Sequence, residues 1–78
     1  MTGIVAPSPH GYMVLAIINA GAGSVTLPED SASSTSQNRF FYNEIGPVVL
    51  APLGGRRTLL YSPDSNGGVG AWIVLPSA

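Results

Sequence analysis

Cysteine is missing from this 78-residue chain, and histidine occurs once, as His10. The first absence excludes disulfides and thiolate-held metals or clusters. The second excludes the usual zinc sets and leaves only an all-oxygen cation site open. Charge is scarce as well: 9% of residues are charged, against roughly 25% in ordinary soluble domains. The cations are Arg39, Arg56 and Arg57, and the net charge is −1. That leaves no basic stripe of the kind that displaces counterions from nucleic acid, so no nucleic-acid partner is expected. Nor does any apolar run approach the ~20 residues of a helical membrane span; the longest covers residues 12–18. Residues 13–18 followed by Ala20-Gly21-Ala22 mimic the apolar region and cleavage site of a signal peptide, but the positive region is missing, because the first arginine is Arg39. No membrane partner is expected either.

A chain of this length is one domain, spanning residues 1–78, and folding buries only ~60% of the surface it exposes unfolded. Domains this small usually need a disulfide, a metal or a partner chain. With the first two excluded, the partner remains. A composition that is 45% apolar and 9% charged leaves apolar patches on a monomer, and self-association is the simplest way to cover them.

Read in order, the chain is a series of strand-like runs separated by turn residues. A short run at residues 3–6 is stopped by Pro7-Ser8-Pro9, where proline removes ladder donors. Residues 12–19 form the strongest strand candidate. Both alternating sets, Tyr12/Val14/Ala16/Ile18 and Met13/Leu15/Ile17, are apolar, so one face can pack on the protomer's own core and the other on a neighbouring chain. Glycines at 21 and 23 suggest a hairpin loop leading into a half-exposed strand at residues 24–27. After a serine-rich connection, residues 39–42 read as a strand. Residues 48–53 and 56–62 flank Gly54-Gly55, a two-residue hairpin signal. Pro63-Asp64 and Asn66-Gly67 are turn dipeptides, and residues 69–75 with Trp72 close the domain. The sum is an all-β fold: a small antiparallel sandwich or barrel of six to seven short strands built from meander hairpins.

Chemistry-bearing constellations are few. Gly21-Ala22-Gly23 lacks the third glycine and the helix of a dinucleotide loop and reads as a turn. Gly54-Gly55-Arg56-Arg57 could cradle an anion, but a hairpin with two solvated arginines is the plainer reading. Asp64-Ser65-Asn66-Gly67 begins like a calcium loop and lacks its third oxygen donor and closing glutamate. No serine sits in a nucleophile elbow, and Glu29, Asp30, Glu44 and Asp64 default to solvated or ion-paired roles. An 8.0 kDa chain also has little volume for the ~300 Å³ pocket of a small-molecule site. The expectation is a non-enzymatic protein without cofactors. Trp72 and the tyrosines could stack on sugars, but a domain this small needs its largest side chain for burial. Arg39 stands out, because its planar fork of donors emerges beside Phe40 at the edge of the core. It either clasps Glu29 or Asp30 at the other end of its own loop or bridges to a neighbouring protomer.

The block from Leu27 to Phe40, Leu-Pro-Glu-Asp-Ser-Ala-Ser-Ser-Thr-x-x-Asn-Arg-Phe, does not stand alone. Ile18-Asn19-Ala20-Gly21 precedes it, and Leu50-Ala51-Pro52, Leu60-Tyr61 and Trp72 follow. In that order and spacing, from about Gly11 to Trp72, the chain resembles a recurring small β module of tailed-phage virion proteins, found in fibres, head fibres and capsid-surface proteins. It departs from the pattern at residues 62–70, a glycine-rich segment where such modules pass quickly from Tyr to Trp. The resemblance implies a non-enzymatic virion protein, an intertwined homotrimer whose three chains share one core. Two functions of different class follow. One is a capsid decoration or cement protein seated on the major capsid protein. The other is a trimeric fibre module or fibre tip that binds a host-surface glycan or receptor. A chain this short that starts with Met1 favours the first. The expected trimer interface comprises Arg39, Met13, Leu15, Ile17 and Phe41. The expected capsid or partner contacts are Ile4, Val5 and His10 in and after the N-terminal arm, and Asp64 and Asn66 in the 62–70 loop.

Overall fold

The structure, a computed structural model, describes residues 1–7 and 11–76. Strand β1 (Met13–Asn19) is followed by β2 (Val25–Leu27), a single 3-10 turn (Ser36–Asn38), β3 (Phe40–Phe41), β4 (Val48–Leu50), β5 (Gly55–Ser62) and β6 (Ala71–Val74). The fold is all-β, as expected, with two sheets. One has four strands in the order β1-β5-β6-β3, and the other pairs β2 with β4. Every described residue of β1 is opposed by β5, from Met13 against Tyr61 to Asn19 against Gly55.

The pairing departs from a chain of hairpins in four places. Gly54-Gly55 does not close a hairpin, because β4 pairs with β2 in one sheet while β5 pairs with β1 and β6 in the other. The glycines after β1 likewise lead from one sheet to the other. These two crossings run side by side: Leu53 N–H donates to Gly21 O and Gly54 N–H to Asn19 O. The third departure is β3, which pairs parallel to β6, Phe40 against Trp72 and Phe41 against Ile73. The fourth is residues 3–6, which form no strand beyond an isolated bridge between Gly3 and Arg39.

Asn19 fastens the two crossings. Its side chain is buried and donates to Gly23 O, Leu50 O and Ala51 O while its carbonyl oxygen accepts Gly21 N–H. A polar group this enclosed is favourable only when fully hydrogen-bonded, and its removal takes a donor from the buried Leu50 carbonyl and unties the two crossings. Asn19→Ala is expected to lower the unfolding free energy by about 2–3 kcal/mol, measured by urea titration.

Inward side chains of both sheets make one core. Leu27, Val48 and Leu50 come from the two-stranded sheet, and Phe40, Leu59, Tyr61, Trp72 and Val74 from the four-stranded one. Trp72, 1% exposed, sits edge-on to Tyr61 with ring centroids 5.1 Å apart. Its indole N–H donates to Ile4 O at 2.9 Å. Trp72 is therefore a core residue and not a sugar platform. Gly70, at φ +101°, is what lets the 62–70 loop pass over Tyr61; a Cβ there would fall 2.1 Å from the Tyr61 hydroxyl.

Candidate functional site

Side chains alternate across a strand, so the register assigns each residue of the four-stranded sheet to one face. Leu59 and Tyr61 point into the core, and their partners Leu15 and Met13 share that side, as does Ile17 opposite Arg57. Val14, Ala16 and Ile18 lie on the other side with Leu60, Thr58 and Arg56, joined by Ile73 of β6 and Phe41 of β3. Val14 is 69% exposed and Ile18 60%. This outer face is a mainly aliphatic and aromatic sheet surface, interrupted by Thr58 and Arg56, over which no layer of the described residues packs.

The core-side set is only partly covered too, since Met13 remains 45% exposed. Strand β1 is thus apolar on both faces and also forms a sheet edge, with β5 as its one neighbour. Edge strands usually carry a charge, a proline or a bulge that discourages further pairing. Met13–Asn19 carries no charge and no proline, and its register with β5 is unbroken. Met13–Ile18 is thus a run of six apolar residues on an unguarded edge, with Met13, Val14, Leu15 and Ile18 exposed.

The expected trimer-interface residues are therefore not one patch. Met13, Leu15 and Ile17 share the core-side face of β1, whereas Phe41 lies on the outer face at the far side of the sheet. Arg39 is engaged within its own chain. Its Nη1 pairs with Asp30 Oδ1 at 3.0 Å and its Nε donates to Ser34 O at 2.9 Å. This is the loop clasp, with Asp30 rather than Glu29 as partner. The carboxylate is more than half exposed, so the pair is a surface bridge of small net worth. Arg39→Ala is expected to cost about 1 kcal/mol of unfolding free energy by thermal or urea denaturation.

Among the expected partner-contact residues, Val5, Asp64 and Asn66 are exposed, and Asp64 accepts a hydrogen bond from the Tyr12 hydroxyl. That bond is the main cause that raises the Tyr12 phenol above its ordinary pKa. Ile4 instead packs against the core, its N–H on Asn38 O and its carbonyl on Trp72. The N-terminal arm is tied to the body and is no free tether. His10 lies outside the described residues.

Arg57 was expected to be solvated and is not. It makes a two-pronged bridge to Glu44, at 2.6 and 3.0 Å, and also donates to Leu75 O. Thirteen residues separate this pair, and no local pattern announces it. The Arg57 hydrogen bonds hold the Glu44 carboxyl below its ordinary pKa. A folded pKa below the unfolded one stabilises the fold above the unfolded value, about 4.3, and the gain fades as pH falls through the folded value. Urea midpoints of wild type and Glu44→Gln should accordingly differ at pH 6 and converge in the acid range below pH ~4.

Among the described residues, no three His, Cys, Asp or Glu side chains gather as a metal site, and no helix is long and apolar enough to cross a membrane. A shallow depression of about 210 Å³ opens on the outer face, lined by Ala16, Ile18, Arg56, Arg57, Thr58 and Pro76. What fold and surface define together, among the described residues, is a small two-sheet β protein whose four-stranded sheet has an apolar outer face and an unguarded edge at β1. Compared with protein families, curated proteins and solved structures, the chain finds no match.

Proposed function

We propose that this chain is a non-enzymatic structural protein of a tailed-phage virion, a homotrimer that decorates the capsid and stabilises the shell. The observation that carries the reading is β1: an uncharged edge strand, apolar on both faces, with Met13, Val14, Leu15 and Ile18 exposed. Such a surface belongs inside an assembly, and three copies that share it remove the liability. The ordered motif from Ile18-Asn19-Ala20-Gly21 through Leu27–Phe40 to Trp72 supports the virion setting. Val5, Asp64 and Asn66 are the exposed candidates for contact with the major capsid protein.

The test is co-sedimentation of purified protein with emptied mature capsids, beside imaging of intact virions that carry the labelled protein. The trimer should pellet with capsids, and Val5→Asp together with Asn66→Arg should lower its retention at least tenfold while the native mass stays unchanged. A trimer that never pellets but is retained on host cells or a glycan array replaces decoration with the fibre-module role.

A further inference from the structure

Seven side chains are charged, and four are used within the chain, as Arg39–Asp30 and Arg57–Glu44. The other three are Arg56, Glu29 and Asp64. Arg56 is exposed on the outer face opposite Ile18, beside the free β1 edge, and has no hydrogen-bond or ion-pair partner among the described residues. It lines the depression with Ala16, Ile18, Thr58 and Pro76. An apolar wall raises the worth of any charge pair formed against it once a covering layer excludes water.

Both remaining carboxylates keep an oxygen to spare. Glu29 Oε2 accepts Tyr42 N–H, and Asp64 Oδ2 accepts the Tyr12 hydroxyl. Their positions differ. Asp64 is fixed to Tyr12, the residue next to β1, and so shares the β1 border with Arg56. Glu29 sits at the opposite border, where it bridges Phe40 of β3 in parallel. A closed three-fold ring joins unlike patches head to tail, whereas a two-fold dimer joins like patches. A ring therefore brings the β1 border of one copy to the β3 border of the next. We infer that Arg56 in its depression receives the Glu29 carboxylate of the adjacent copy, an inference that rests on the homotrimer reading and names the pair that sets its direction around the ring.

Charge reversal on the full-length protein tests this by sedimentation equilibrium across a dilution series. Arg56→Glu and Glu29→Arg should each weaken assembly about 10–100-fold and remove most of its salt dependence. The double variant Arg56→Glu/Glu29→Arg should restore both. Arg56 has no partner to lose among the described residues, so circular dichroism and the melting of Arg56→Glu should match wild type; Arg56→Gln supplies a neutral check, with a smaller loss. A trimeric wild type whose assembly ignores Arg56→Glu overturns the pairing and leaves the trimer standing. Rescue by Arg56→Glu/Asp64→Arg instead of the Glu29 pair also overturns it, since like borders then meet. A monomeric wild type removes the trimer reading itself.

Discussion

Val14→Asp combined with Ile18→Asp is expected to convert the assembled protein into folded protomers. Both side chains lie exposed on the outer face of β1 and outside the core cluster, so the fold has no reason to fail. In the assembly the same two positions would bury carboxylates without partners. An uncompensated buried charge costs on the order of 3–5 kcal/mol, and one such term already weakens association about a thousandfold. Sedimentation at micromolar concentration should show the chain mass of 8.0 kDa, with the circular dichroism of wild type. Thr26→Asp, exposed on the two-stranded sheet, should leave the assembled mass as it was. Loss of assembly in that control would mean that the contact extends onto the two-stranded sheet.

Trp72→Ala is the second large effect, and it acts on the protomer. Trp72 is held between Phe40 and Tyr61 in the sheet, packs edge-on to Tyr61, and anchors the N-terminal arm through Ile4 O. Removing a buried tryptophan side chain costs about 3–5 kcal/mol. A domain of this length has on the order of 4–12 kcal/mol to lose, so the variant should be largely unfolded wherever it is not assembled. Trp72→Phe keeps the ring volume in part and loses the indole donor. Its loss should be about half as great, with faster amide exchange concentrated at Ile4 and Ala6, whose N–H groups rest on Asn38. Both variants are read by urea denaturation followed by hydrogen exchange of Trp72→Phe.

Most strand positions were legible in the sequence, residues 3–6 excepted, but strand partners were not. β1 announced itself through the seven-residue apolar run at 12–18, too short and too near glycines for a helix, and the placement of Trp72 in the core followed from size alone. Gly54-Gly55 misled because a hairpin signal is local, while pairing is decided by which faces must be buried together. Val48 and Leu50 point into the core beside Leu27 and Val25, so β4 joins β2, and the turn before β5 becomes a crossing stapled by Asn19. The parallel β3–β6 pair joins segments about thirty residues apart, with β4 and β5 between them. No short-range pattern encodes that. The candidate surface divides the same way. Its apolar character, and the clasp of Arg39 on its own loop, could be read from neighbours in sequence. The Arg57–Glu44 bridge, which leaves Arg56 as the single unpaired arginine among the described residues, depends on the sheet register and required the fold.

In the proposed trimer, other copies of this chain cover the outer face and free edge of β1. Light scattering of wild-type protein over a micromolar dilution series measures that claim most directly. It should give three times the 8.0 kDa chain mass, with the β1 amides Val14, Ala16 and Ile18 protected from exchange in the assembly. A stable, folded species of one chain mass at every concentration, with those amides exchanging freely, would contradict it.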